Sequence, residues 1–573
     1  MLARTLRLAP ASSFRFTRPL QHRTTLALFS TSITRMSVIE ERVANVQDLK
    51  DGEMKEFGLG EGRVLLSQVN GQIFATSHKC THYGAPLATG VLSSEGPLGT
   101  VRASELPPVI IKDGGIYVKA EENALKAARR KPARKSLAKD EGKTVVILGG
   151  GASGTTTAEN LREQGFAGRI IVVSRESYYP IDRPQLSKKV DIGDPASIQL
   201  RNVAFWEELG VEFLLSTVRR VAFCFCQLFF RHILTNSAQS VDTNAKTVTL
   251  SSGSQLSYDT LVLATGAYAR TVPIPGIDLG NVFTLRTVDN ANTIFQAVKA
   301  SGSNPNVVII GSSFIGMELA SAFSKTLKTA EAEPAGTVTV VGREEVPFQR
   351  VLGKQIGEAL MNLHTSQKVQ FRMKAGVNAF TAGGDGKVSS VQLTSGEELP
   401  ADVVILGTGV SPQTDYLKGN DAFKLQRDGS LKVDKHFNVE GHKDVYAVGD
   451  IARFHWELTG EDLRVEHWSH AENTGRFVAF NILGGNRSFD KVPYFWTAQQ
   501  GKSIRYAGYA SSFDDIIIQG SVETLSFAAF YVRGEKVVAV LSVGKDPVVS
   551  HASELLRINK HPSASELHQG KIM

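Results

Sequence analysis

A chain of 573 residues, 42% hydrophobic and 21% charged, has room for several domains and an ordinary globular composition. Its three cysteines, Cys80, Cys224 and Cys226, argue against a disulfide framework and fit a reduced or matrix-like compartment. The net charge of +7 is more than supplied by a nearly acid-free N-terminus and a Lys/Arg-rich stretch at 123–143, so the body is close to neutral and a nucleic-acid surface is not expected.

Residues 1–37 carry Arg4, Arg7, Arg15, Arg18, Arg23 and Arg35 among Ser, Thr and Leu, with no acid before Glu40. This is the composition of a mitochondrial transit peptide; translation from Met36 would instead leave a cytoplasmic product. No apolar run is long enough to span a bilayer. Residues 38–122 alternate short apolar runs with Gly and Pro, as a small all-β domain does. The basic, stripe-free segment 123–142 reads as a linker.

At Thr144 the pattern changes to a β-branched run, then GGGASG, a helical stretch and the strand RIIVVS. In this βαβ unit Gly149 permits the tight turn, Gly151 lets the backbone approach a pyrophosphate, and Gly154 packs helix against strand. Glu176, 22 residues beyond Gly154, stands where a carboxylate receives an adenosine ribose. A second unit opens on NVVIIGSSFIG, with Gly311 and Gly316 bracketing a loop whose middle glycine is replaced by Ser313. Its next strand ends in Gly342, Arg343, Glu344; the carboxylate of Glu344 favours the ribose hydroxyl of NADH, while Arg343 is suited to the extra phosphate of NADPH. Two further strand ends carry ATG (Ala264, Thr265, Gly266) and YAVGD (Asp450).

The combination of glycine loop, ATG and YAVGD resembles the two-dinucleotide flavoprotein reductases. The resemblance implies FAD in the first site, with Thr265 and Gly266 beside it and Asp450 on the ribityl chain. YYPIDRPQLSKK resembles the flavin contact of the ferredoxin-reductase and apoptosis-inducing-factor branch. It implies Arg183 at the FAD phosphates and Lys188 at the reactive face of the flavin, paired with Glu318 of the second unit. EHW at Glu466–Trp468 resembles the flavin-facing helix start of that branch, which puts Trp468 at the cofactor; Trp496, in VPYFWTAQQGKSIRYAG, is expected near the flavin side. No CxxxxC follows the first loop, so a flavin–disulfide relay is excluded, and hydride should pass from nicotinamide to the flavin and electrons onward.

CTHYG, with Cys80 and His82, resembles the first ligand pair of a Rieske domain. A 2Fe-2S cluster of that type needs two Cys and two His. The second pair, a CxxH, is absent downstream. The apolar segment 217–239, which holds Cys224 and Cys226, follows neither periodicity and interrupts a β-meander. Both anomalies are local, as when one coding stretch is spliced out and one intron is translated. The chain as it stands is not expected to assemble the cluster.

The reading is an α/β chain of two Rossmann-like domains, with a Rieske-like all-β unit before them and an α+β domain after. The divisions are 38–122 (Rieske-like), 143–289 and 426–488 (FAD), 290–425 (NAD(P)H) and 489–573 (C-terminal). The resemblance, to apoptosis-inducing-factor-like Rieske flavoproteins, implies an FAD-dependent NAD(P)H oxidoreductase. Its electrons would pass to an iron–sulfur, ferredoxin-type protein or to a small molecule, and a homodimer is compatible with it. The family name also suggests a rival, a cell-death effector that binds DNA or protein. The basic residues, concentrated in leader and linker, weigh against that rival.

Overall fold

The computed structural model describes residues 38–79, 86–90, 92–93, 96–97, 109–121, 125, 142–189, 191–220, 231–234, 236–328 and 336–571. The leader, Cys80, His82, Cys224, Cys226 and nearly all of the linker lie outside the described residues.

The N-terminal unit is all-β. Met54–Leu59, Gly62–Val69 and Gln72–Ser77 form one antiparallel meander, and Val38–Asn45, Gly115–Glu121 and Val109–Lys112 a second sheet. Their alternating inward residues, among them Leu59, Val64, Leu66, Ile73, Ile116 and Val118, make its core.

Two parallel sheets follow. The first runs in the order Val211–Leu215, Arg169–Ser174, Thr144–Leu148, Thr260–Leu263, Val445–Ala447. Thr144–Leu148 has a parallel neighbour on each side, which is why its residues are apolar without alternation. The second sheet runs Val282–Thr284, Val403–Leu406, Asn306–Ile310, Thr337–Val341, Val369–Arg372. Its edge strand Val282–Thr284 lies inside the stretch 143–289 assigned to the first domain, so the second domain begins earlier than expected. Three residues carry too little pattern to reveal which sheet they join.

The C-terminal domain is an antiparallel sheet of five strands with two helices, Val548–Arg557 and Ala564–His568. The first helix is amphipathic and buries Val549, Ala552 and Leu556 against the sheet. The strand Ser526–Arg533 is buried on both faces. Phe527, Ala529 and Tyr531 enter the core shared with the second Rossmann sheet, and Ala528, Phe530 and Val532 the core shared with the first. Each such Phe contributes about 1.5–3 kcal/mol by leaving water. Tyr494–Gln499 is an edge strand of this sheet, paired with Lys502–Gly508, and it touches the helices Phe314–Lys328 and Trp468–Ile482 of the two dinucleotide domains.

The segment 217–239 departs from the first sheet as an antiparallel pair, Thr217–Arg220 with Arg231–Leu234. At its base Asn236 donates its backbone N–H to Ser216 Oγ (3.2 Å) and its side-chain amide to Leu215 O (2.8 Å). The flanks therefore meet without the intervening residues.

Candidate active site

The first glycine loop closes through the backbone. Gly149 N–H donates to Val173 O (2.8 Å), and Gly149 has φ of +122°, a conformation that favours glycine. A Cβ there would lie 2.1 Å from Ala264 O, and one at Gly154 would lie 2.0 Å from Gly149 O. At Gly151 a Cβ would meet nothing within 4 Å, because this residue faces a cleft of about 940 Å³. Gly151 caps the helix Ala152–Glu163 without a side-chain acceptor, which leaves first-turn N–H groups and the helix dipole for an anion.

The cleft runs from this loop past Glu176, Arg183, Thr265, Gly266 and Asp450 to Lys188, Glu318 and Trp468, and Trp496 also lines it. All the residues singled out in the first unit except Gly154 thus share one cavity. Glu176 and Arg183 form a bidentate ion pair (2.9 and 2.8 Å). Burial pushes the Glu176 carboxyl up, but Arg183, Tyr178 and Arg286 outweigh it, and the net direction is down. Arg286, which the sequence reading passed over, lies 3.3 Å from Asp450 and also faces the cleft. Two guanidiniums and two carboxylates thus stand at the phosphate and ribityl end. Arg183 is therefore held by a side-chain carboxylate as well as being open to a phosphate.

At the other end Lys188 Nζ lies 2.9 Å from Glu318 Oε1, although the two are far apart in the chain. Lys188 also donates to Pro184 O (3.1 Å). Glu318, 7% exposed, accepts from Ser187 Oγ and from Thr497 Oγ1 (2.6 Å). Neither hydroxyl carries a motif; Ser187 only stands next to Lys188.

Trp468 opens the helix Trp468–Ile482 and donates from Nε1 to Glu472 (3.1 Å). Burial pushes the Glu472 carboxyl up to about 7. His467, against the Phe495 ring at 4.6 Å, and His470 are pushed down by burial to about 4 and about 3, so both are neutral at working pH. His467 Nδ1 is a buried polar atom without a partner.

The second loop repeats the geometry of the first. Gly311 has φ of +118°; a Cβ there would lie 2.3 Å from Gly407 O, and one at Gly316 2.0 Å from Gly311 O. Glu344 accepts from Ser312 Oγ (3.4 Å), beside the loop, while Arg343 is exposed. The second helix, Phe314–Lys328, presents Phe314, Ile315 and Glu318 to the shared cleft, so a nicotinamide carried by this unit would meet the Lys188 end.

FAD fits these residues: a glycine cradle in which a Cβ at Gly149 or Gly154 would strike backbone, two guanidiniums for phosphates, and the unpartnered His467 Nδ1 in a cleft long enough for an extended dinucleotide. A Rieske cluster does not fit. Residues 38–122 contain one cysteine, Cys80, besides His78 and His82, and His78 Nδ1 is engaged with Arg63 O (3.2 Å).

The family described as "Pyridine nucleotide-disulphide oxidoreductase" matches residues 143–475, "Reductase C-terminal" matches 494–572, and "Rieske [2Fe-2S] domain" matches 40–99. Apoptosis-inducing factor 3 of Homo sapiens is 36% identical over 545 residues, covering 90% of this chain and 84% of its own. A ferredoxin reductase from Rhodopseudomonas palustris superposes with a TM-score of 0.64 at 27% identity, over 74% of this chain and 96% of the other. The covalent putidaredoxin reductase–putidaredoxin complex gives 0.64 at 28%, over 74% and 95%. This chain belongs to the FAD-dependent NAD(P)H oxidoreductases of the apoptosis-inducing-factor type that bear an N-terminal Rieske-family domain.

Proposed function

We propose that this protein oxidises NADH, and NADPH less well, with FAD, and delivers the electrons to a separate ferredoxin-type protein or a small-molecule acceptor. The observation that carries the reading is the Lys188–Glu318 pair at 2.9 Å, where the cleft of the first glycine loop meets the helix of the second. Bound FAD supplies a hydride acceptor that releases electrons singly or in pairs.

The chain's own residues do the rest. The loop Gly149–Gly154 and the helix behind it hold a pyrophosphate, with Arg183 and Arg286 as counter-ions. Asp450 holds a hydroxylated chain beyond them, and Glu344 accepts from the adenosine ribose of NADH. Lys188 fixes a positive charge at the end of the cleft, and Glu318 keeps it there. Trp468, Phe314 and Phe495 wall off water. The relatives titled as a ferredoxin reductase and as a reductase–putidaredoxin complex support an iron–sulfur protein as acceptor.

The leader, by its composition, sends the protein to mitochondria; fusion of residues 1–37 to a fluorescent protein tests this. A homodimer, read by sedimentation, belongs to the same proposal. The central test is the visible spectrum of the expressed chain before and after anaerobic NADH. A yellow protein that bleaches is expected. A colourless protein refutes the reading, and a preference above tenfold for NADPH overturns the role of Glu344. Added reddish absorption would show that a cluster forms after all.

A further inference from the structure

The Lys188–Glu318 pair is tied to a polar chain buried between the second Rossmann domain and the C-terminal sheet. Thr497 and Gln499 lie two residues apart on the strand Tyr494–Gln499 and so project from one face of it. Thr497 is 2% exposed, and Gln499 and His364 are both 0% exposed. Thr497 Oγ1 is 2.6 Å from Glu318 Oε1, Gln499 Nε2 is 3.0 Å from Thr497 Oγ1, and His364 Nε2 is 3.1 Å from Gln499 Oε1. Gln500 Nε2 approaches His364 Nδ1 (3.3 Å) and Ser324 Oγ (2.9 Å).

Proton counting gives the chain one direction. An ionised carboxylate only accepts, so the single Thr497 proton goes to Glu318. Thr497 Oγ1 then accepts from the Gln499 amide, which leaves the Gln499 carbonyl facing His364. His364 must carry its proton on Nε2 and accept at Nδ1 from Gln500. Burial, only partly opposed by the Gln499 bond, pushes His364 down to about 4, so this neutral form holds throughout the working range. Every dipole presents its positive end toward Glu318, and such chains polarise one another in a low-dielectric interior.

The turn at the end of the strand registers the array. Gln500 and Gly501 both have positive φ (+47° and +84°), as in a two-residue hairpin of the primed type. A glutamine rarely adopts that conformation. Here its backbone N–H donates to Ser321 Oγ (2.8 Å) on the helix that carries Glu318, in addition to the two side-chain contacts.

We propose that Thr497, Gln499 and His364 are positioning residues for the Lys188–Glu318 pair: a one-way run of donors that keeps the Glu318 carboxylate aimed at Lys188, and thereby sets the reduction potential of the flavin in the cleft. The inference rests on the flavin reading given above. Without the Thr497 hydroxyl, Glu318 loses one of its donors, turns away and leaves the charge of Lys188 uncompensated. A free positive charge at this end of the cleft favours added electrons, so the potential becomes more positive.

The test uses the full chain with FAD and follows a dithionite titration against a reference dye. Thr497→Val, which keeps the shape and removes the hydroxyl, is expected to shift the reduction equilibrium about tenfold toward the reduced form, about 30 mV for a two-electron couple. Thr497→Ser should coincide with wild type, and Gln499→Met should move in the same direction as Thr497→Val. Coincidence of Thr497→Val with wild type overturns the proposal, as does an equal shift in Thr497→Ser. Should Thr497→Val fail to retain FAD, Gln499→Met carries the test, and its coincidence with wild type overturns it. A wild-type protein that is yellow but not bleached by NADH refutes the proposed activity and leaves this comparison intact, because dithionite supplies the electrons.

Discussion

Replacing Glu176 by Gln separates the ion pair from the shape of the site. The substitution retains the side-chain volume and removes the charge that faces Arg183 across two bonds of 2.9 and 2.8 Å. Arg183 would then stand beside Arg286, a like charge, with its carboxylate partner gone. Removing one member of a buried pair costs about 3–5 kcal/mol. Arg183 and Glu176 retain 20% and 18% side-chain exposure, so the lower end, about 3 kcal/mol, applies to the FAD-free protein. For a domain of this size each kcal/mol lowers Tm by about 2–4 °C, which gives a fall of about 6–12 °C. The assay is thermal unfolding of FAD-stripped wild type and Glu176→Gln, followed by circular dichroism at neutral pH and low salt. A fall below about 2 °C would show that the pair contributes no more than an exposed one and would refute the argument.

The same carboxylate fixes a pH dependence. Its folded value is depressed, so its contribution is full above the ordinary carboxylate range and is lost as pH falls through the folded value; the gap in Tm between wild type and Glu176→Gln should close on acidification. Gly149→Ala places a Cβ 2.1 Å from Ala264 O and should yield protein without flavin colour, whereas Gly311→Ala, at 2.3 Å from Gly407 O, should stay yellow with KM for NADH raised at least tenfold. Lys188→Met should retain FAD and slow its reduction by NADH on the order of 10²-fold in stopped-flow absorbance, the cost of removing one charge aimed at the reacting atoms. Deletion of 217–235, joining Ser216 to Asn236, should leave flavin content intact and Tm no lower, because those two residues already hydrogen-bond; loss of FAD on deletion would show that the segment belongs to the site.

What could be read in the sequence has a physical pattern. Glycine loops show themselves because strand, tight turn and helix are contiguous, and the resemblance supplied Lys188 and Glu318, which the fold brings together. Arg286, Ser187 and Thr497 left no such trace. Each is a single polar residue whose partner sits on another element, and nothing in its own neighbourhood distinguishes it from a surface side chain. The strand Val282–Thr284 was assigned to the wrong domain for a similar reason: three residues do not disclose their neighbours.

Glu318 and the three groups that hold it come from three stretches of chain. Ser187 and Lys188 belong to the first dinucleotide domain, Glu318 itself to the second, and Thr497 to the domain that follows them in the chain. A chain that stopped before residue 490 would contain both glycine loops and lack one of the contacts at the point where they converge. The cleft thus works as a coincidence detector: the contacts that hold its charge pair are complete only when all three parts have been made and docked, so catalytic competence certifies the docking of the C-terminal domain as well as of the two nucleotide domains.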